Sequence, residues 1–202
     1  MPITAVFFLV VFCLGLVKTI ISKPIYGLFT YLFAFYLHPP SNYWGAFVPD
    51  IRWSLIAAIF TFVAILIKNQ KEGITWFKFS ETRLFFMFVI YVGIQNFWAL
   101  SPTFHLDYTI MAIKFFILIF LIQNCIRDEK DVIKFIIVNM LGCCYFGYVG
   151  LTSNFEGRME GVGGPGISSS NGLGQHLIVV LTFSSFLLLC KYGKKLFLLF
   201  SC

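Results

Sequence analysis

The feature that most constrains this chain is a succession of seven apolar runs separated by short polar segments. Hydrophobic residues make up 59% of the 202 positions and charged residues 12%, against roughly 45–50% and 25% in soluble domains. A water-soluble fold of this composition would have too little polar surface to cover itself. The pattern therefore predicts an all-α fold: a polytopic membrane helix bundle, forming a single transmembrane domain over residues 1–202.

The apolar runs set the number of predicted membrane spans. A bilayer core requires about 20 apolar residues per helix, with a range of roughly 17–25, so the second and third runs are short. After Lys195 the segment LFLLF predicts an eighth helix that is cut off, which would make this chain the amino-terminal half of a longer protein; the alternative is a tail that lies at the membrane interface. The seven predicted spans cover residues 3–21, 24–37, 53–67, 84–100, 108–123, 132–151 and 173–192.

The basic residues alternate between the two sides of these spans. Of the 15 Lys and Arg residues, twelve follow odd-numbered spans, only Arg52 and Arg158 follow even-numbered ones, and Lys114 lies inside the fifth span. Under the positive-inside rule this bias places the amino terminus outside and the odd-numbered loops in the cytoplasm. We therefore expect a multi-pass protein of the bacterial inner membrane, with external loops at about 38–52 and 152–172.

The same dispersal of charge argues against nucleic acid as a partner, despite the net charge of +6, because the basic residues form no patch. The six cysteines include no CxxC pair and no His at metal-ligand spacing. We expect no metal, no cofactor and no disulfide, and interpret the cysteines as small apolar residues of the spans.

The external segment around Arg158 carries the most chemical information. A guanidinium offers a planar fork of donors to phosphate, and Gly-rich backbone allows N–H groups to approach an anion. The segment leads into the seventh helix at Asn171, which we expect to cap the first turn, and a helix amino end adds favourable partial charge for phosphate. The alternative is a flexible connector whose Gly and Ser merely join two helices.

Two residues within spans are further candidates. Lys114 inside the fifth span costs at least about 2.5–3.5 kcal/mol at the bilayer centre unless it snorkels or is paired, so it either lines a polar cavity or reaches an interface. His176, one turn or more into the seventh helix and near the Arg158 loop, is either a proton carrier or phosphate donor, or a satisfied interfacial residue. His38 and His105 lie at external span ends with less support. Gln95 and Asn96 are expected to bond between helices.

Two segments resemble the O-antigen ligase-like family, in particular the O-glycosylation ligases found with exosortase systems. The first is KPIYGLFTYLFAFYLHPPSNYWGAFVPDIRW, with the family's basic-Pro entry at Lys23-Pro24, a His-Pro turn at His38-Pro39 and a Trp-Gly pair at Trp44-Gly45. The second is GRMEGVGGPGISSSNGLGQHL, which is similar to the family's Arg-x-x-Gly loop followed by Asn at a helix start. Its matching positions are Arg158, Gly161 and Asn171. It departs from the family at residues 168–170, where Ser stands in place of an acidic residue or Pro.

The resemblance implies a glycosyltransferase that takes a glycan from a polyprenyl diphosphate carrier and joins it to a protein or lipid acceptor on the periplasmic side. It also implies metal-free chemistry, with Arg158, Gly161 and Asn171 at the diphosphate. The family's catalytic His belongs to a later loop beyond Cys202, so no catalytic residue is assigned here, and His176 does not inherit that role. The alternatives are a transporter or flippase with Lys114 in its pathway, which inverted repeats would favour, and a non-catalytic membrane scaffold.

Overall fold

The structure is a computed structural model that describes residues 1–68, 79–152 and 169–189. These ranges hold seven α-helices and two short 3₁₀ turns, and they contain no strand. The all-α prediction is confirmed over this part of the chain. The helices are α1 Ile3–Ile21, α2 Ile25–Leu37, α3 Trp53–Lys68, α4 Ser80–Gln95, α5 Pro102–Cys125, α6 Glu129–Thr152 and α7 Ser170–Leu189, with 3₁₀ turns at Pro39–Ser41 and Tyr43–Phe47.

Three of these helices are long and apolar enough to cross a membrane: α1, α5 and α6. The helix α3 is also apolar but shorter, with 16 residues, and α2 has only 13. Each helix overlaps one predicted span, and the larger differences are at α4, α5 and α7. The helix α5 begins at Pro102 rather than at Tyr108, because proline fits the first turn of a helix, where its missing N–H is not needed.

Consecutive helices run antiparallel, which separates the two ends of the bundle. At one end, Phe8 near the start of α1 packs with Ala34 near the end of α2 and with Trp53 at the start of α3. At the other end, Ile25 and Ile65 pack with the end of α5. Lys18, Lys23, Lys68, Arg83, Arg127 and Lys130 all lie at or beyond helix termini of this second end. The fold thus gathers these described basic residues at one end of the bundle, as the charge pattern predicts.

Small residues let the first three helices approach closely. A Cβ added at Gly15 would overlap the Thr30 side chain, and one added at Gly27 would overlap Thr61. The Thr30 and Thr61 hydroxyls donate to carbonyls one turn earlier in their own helices, so both hydroxyls have a hydrogen-bond partner at these contacts. Small residues of this kind allow helix backbones to pack closely, as is typical of helix interfaces in membrane proteins.

The short α2 creates a step at the less basic end of the bundle. Tyr36, next to the last residue of α2, meets α6 at Cys143 and Phe146, so α6 continues for about two turns beyond it. The segment 38–52 fills this step with its 3₁₀ turns. Trp44 is buried there against Phe8 with ring centroids 5.3 Å apart, while Tyr43 is exposed. The external loop expected from the sequence is therefore anchored to the bundle by the buried Pro39, Trp44 and Val48, while most of its other residues are exposed.

Candidate functional site

Below segment 38–52, a partly buried polar cluster lies where α2, α6 and α7 meet. The Tyr36 hydroxyl lies 3.0 Å from Oδ1 of Asn139 and 3.0 Å from Nε2 of His176. It also lies 3.9 Å from Sγ of Cys143. Tyr36 itself is 4% exposed. We call Tyr36, Asn139, Cys143 and His176 the Tyr36 cluster; it joins three helices whose sequences are far apart.

Glycine and aromatic residues hold the Tyr36 ring in place. Gly142 on α6 lies directly against that ring, and an added Cβ would overlap it. The Phe146 ring packs against the other side of the cluster, with its centroid 5.1 Å from that of Tyr36 and 6.2 Å from that of His176. Phe35 adds a third ring, 6.0 Å from His176. The polar atoms are thus surrounded by aromatic surface, where unpaired donors or acceptors are costly.

A second set of hydrogen bonds ties segment 38–52 to α6 just above the cluster. The Tyr145 hydroxyl donates to Oδ1 of Asn42 at 2.9 Å. The amide nitrogen of Asn42 donates in turn to the carbonyls of Leu37 at 2.6 Å and His38 at 3.3 Å. Carbonyls at the end of a helix lack intrahelical partners, so Asn42 satisfies the end of α2 where it stops inside the bundle.

His38 forms the sharp turn that ends α2. Among the described residues, His38 is the one non-glycine residue with a positive φ, which is 22°. Its Nδ1 lies 2.5 Å from Oγ of Ser41, and burial lowers the pKa of its imidazole below the usual 6.5. This conformation redirects the chain into the 3₁₀ turns, which explains why His38 and Pro39 stand together here.

Of the three residues predicted to bind diphosphate, the structure describes only Asn171. Arg158 and Gly161 lie outside the described residues. Asn171 lies in the first turn of α7 and is exposed, but it is not the cap. The Ser169 hydroxyl accepts from the Gly172 N–H at 3.2 Å, and the Ser169 carbonyl accepts from the Leu173 N–H. These two bonds are the pattern of an N-cap residue, so Ser169 is the cap. The expectation that Asn171 caps this helix is therefore wrong, because the helix begins earlier than the apolar run suggested.

Lys114 and His176, the two candidates within spans, have different surroundings. His176 is partly exposed and belongs to the Tyr36 cluster. Lys114 lies near the middle of α5 on an exposed face. It makes no hydrogen bond or ion pair with any other described residue. Helix α5 packs on α3 and α4 rather than on α7, so the fold does not bring Lys114 and His176 into one site.

The α4–α5 connection holds another histidine and a shallow depression of about 370 Å³. His105 bonds through Nε2 to the Val92 carbonyl at 3.0 Å, and Asn96 donates to the Thr109 hydroxyl at 3.0 Å. The expectation that Asn96 bonds between helices is confirmed. Exposed Trp98 and Tyr108 line the depression, as is typical of side chains at a membrane interface.

The chemistry available in the Tyr36 cluster is neutral hydrogen bonding. Over residues 1–68, 79–152 and 169–189, no group of three or more His, Cys, Asp or Glu residues could hold a metal ion. Within the same ranges the cysteines are free; Cys125 and Cys143 are buried, and Cys13 and Cys144 are exposed.

Tyr36, Asn139 and Cys143 were not among the sequence candidates. Asn139 is a polar residue inside an apolar run, which is the signal that could have identified it, because such residues usually bond between helices. Tyr36 carried no comparable signal, since aromatic residues are frequent throughout α2. Its importance arises from the long-range contact with α6 and α7.

A family model described as a family of unknown function, DUF5935, matches residues 4–163. No curated protein and no solved structure matches this chain.

Proposed function

We propose that this chain, which belongs to the DUF5935 family, forms the membrane portion of an O-antigen ligase-like glycosyltransferase. Such an enzyme transfers a glycan from a polyprenyl diphosphate carrier to a protein or lipid acceptor on the periplasmic side. The observation that carries the proposal is that the two loops of the family resemblance start from the same end of the bundle. These loops are segment 38–52, which follows α2, and the Arg158 loop, which joins α6 to α7. The end of α2 meets α6 and α7 through Tyr36 and His176, and the Arg158 loop connects those same two helices.

The membrane topology is part of this proposal. All seven helices cross the bacterial inner membrane, with the amino terminus outside and the basic end of the bundle in the cytoplasm. The short α2 is compatible with this because the backbone that follows it is packed within protein. Non-helical backbone is tolerated at membrane depth when its polar groups are satisfied, as Asn42 does for the Leu37 carbonyl.

The diphosphate site comprises Arg158, Gly161 and Asn171. A diphosphate bears several negative oxygens, and a planar guanidinium pairs with them through two parallel hydrogen bonds. The amino end of α7 adds a favourable partial positive charge for an anion beside Asn171. As the carrier departs, charge accumulates on the diphosphate, and a positioned Arg in a water-poor site stabilises it.

Binding of the carrier tests this proposal without requiring transfer. The full chain is reconstituted in lipid nanodiscs and titrated with a fluorescent polyprenyl diphosphate. Arg158→Ala should weaken binding at least tenfold, because a charge-assisted bidentate pair is lost. Arg158→Lys should retain part of the affinity, since it keeps the charge and loses the planar fork.

Arg52→Ala is the matched control, because Arg52 is the other basic residue of the less basic end. It should leave carrier affinity within about twofold. Equal affinities of wild type and Arg158→Ala would remove the diphosphate site and with it the assignment to glycan transfer, leaving the scaffold or transporter alternatives.

A further inference from the structure

In the Tyr36 cluster, the bonding of Asn139 determines which atom donates and which accepts in each hydrogen bond. The amide nitrogen of Asn139 donates to the Phe135 carbonyl at 2.8 Å, one turn earlier in α6. Only the nitrogen of an amide side chain can donate to a carbonyl. The Asn139 oxygen must therefore face Tyr36, where it lies 3.0 Å from the hydroxyl.

This orientation determines where the Tyr36 proton points. An amide oxygen accepts and never donates, so the single proton of the Tyr36 hydroxyl is directed at Asn139. The lone pair of the same hydroxyl is then left for Nε2 of His176, 3.0 Å away, which must donate. The thiol of Cys143, at 3.9 Å, is too weak a partner to reverse this order.

His176 is therefore held with its proton on Nε2, and its Nδ1 carries a lone pair. The ring lies among Phe35 and Phe146. The helices α2 and α7 contain no carboxylate, and the acidic residues of α6, Glu129 and Asp131, lie in its first turn at the opposite end. Within the part of the chain that the structure describes, no carboxylate near the ring favours a second proton on it. Among the described residues, Nδ1 has no hydrogen-bond partner, and the His176 side chain is partly exposed.

We infer that Nδ1 of His176 is a binding point for a ligand hydroxyl, with Phe35, Tyr36 and Phe146 providing the surrounding aromatic surface. The lone pair requires a hydrogen-bond donor, and the aromatic surroundings favour an uncharged one, such as the hydroxyl of a sugar or alcohol. A fixed lone pair accepts from O–H, whereas it repels the oxygens of a phosphate. Apolar and aromatic walls with a few oriented polar groups are typical of small-molecule sites. The inference concerns a neutral group and does not depend on Arg158.

Nuclear magnetic resonance of ¹⁵N-histidine-labelled full chain in nanodiscs tests the proton position. The chain has three histidines, and His176→Gln assigns the signal. Wild type should show the proton on Nε2. In Asn139→Leu the Tyr36 hydroxyl loses its acceptor and turns to donate to Nε2, so the imidazole proton should move to Nδ1. Tyr36→Phe, which keeps the ring packing, should give a mixture. A wild-type proton on Nδ1 would overturn the inference.

Ligand preference is tested with two amphiphiles that share a tail, octyl β-D-glucoside and octyl phosphate, below their micelle concentrations. The glucoside should shift the Nδ1 resonance of wild type saturably, and octyl phosphate should not. Asn139→Leu should weaken glucoside binding at least threefold and acquire a response to octyl phosphate, because Nδ1 becomes a donor. Gln175→Leu, an exposed change nearby on α7, should behave as wild type. Identical responses of wild type to both amphiphiles, or none to either, would refute hydroxyl recognition.

Discussion

Gly142 is the position where a single added methyl group should disturb the Tyr36 cluster most. In Gly142→Ala the new Cβ overlaps the buried Tyr36 ring, which cannot retreat because it is packed against Phe146 and bonded to Asn139. Overpacking a close contact costs about 1–3 kcal/mol. Each interhelical hydrogen bond lost in a membrane protein adds about 0.6 kcal/mol. The free energy of unfolding should therefore fall by about 2–4 kcal/mol.

The same helix offers a matched control. Gly147 has no atom within 4 Å of an added Cβ, so Gly147→Ala should be neutral or stabilising by up to about 1 kcal/mol from helix propensity. Unfolding is followed in bicelles by titration with sodium dodecyl sulfate. The double variant Gly142→Ala with Tyr36→Leu should recover part of the loss, because a smaller side chain leaves room for the methyl group. Equal stabilities of the two alanine variants, or no coupling with Tyr36, would refute the packing argument.

Three further predictions follow from single residues. Lys114→Leu should make insertion of the α5 segment more favourable by about 3–4 kcal/mol in a glycosylation-based insertion assay, and a change near zero would show that Lys114 does not lie at the bilayer centre. Asn42→Ala should lower the free energy of unfolding by about 1–3 kcal/mol in thermal denaturation, because the Leu37 carbonyl and the Tyr145 hydroxyl lose their partner; an unchanged transition would contradict this. Because burial lowers the pKa of His38, the unfolded chain binds its proton more readily, so the neutral imidazole contributes stability above about pH 6.5 that is lost as pH falls through the depressed pKa. His38→Gln should flatten this part of the pH profile of the melting temperature, and an unaltered profile would exclude His38 as its source.

Much of the helical architecture could be predicted because it depends on local composition. Seven apolar runs predicted seven helices, and the described residues contain seven helices, each overlapping one of those runs. The error at the start of α7 came from following hydrophobicity: Ser169 and Asn171 are polar, yet the helix includes Asn171 in its first turn and uses Ser169 as cap.

The candidate site was harder to predict because it depends on contacts between distant segments. His176 was named from its type and position, but its partner Tyr36 is 140 residues away in sequence. Asn42 likewise looked like a loop residue, although it satisfies the end of α2 and accepts from Tyr145. No local sequence pattern specifies which aromatic hydroxyl of α2 faces α6, because that depends on how the two helices pack.

Reporter fusions test most directly whether the Arg158 loop faces the periplasm. Two reporters are each joined after residue 163 and after residue 130. Alkaline phosphatase is active only outside the cytoplasm, whereas green fluorescent protein fluoresces in the cytoplasm and stays dark when it is exported unfolded. Phosphatase activity at 163 with fluorescence at 130 is the predicted result. Fluorescence at 163 would place the glycine-rich loop in the cytosol and contradict a site for a periplasmic diphosphate carrier.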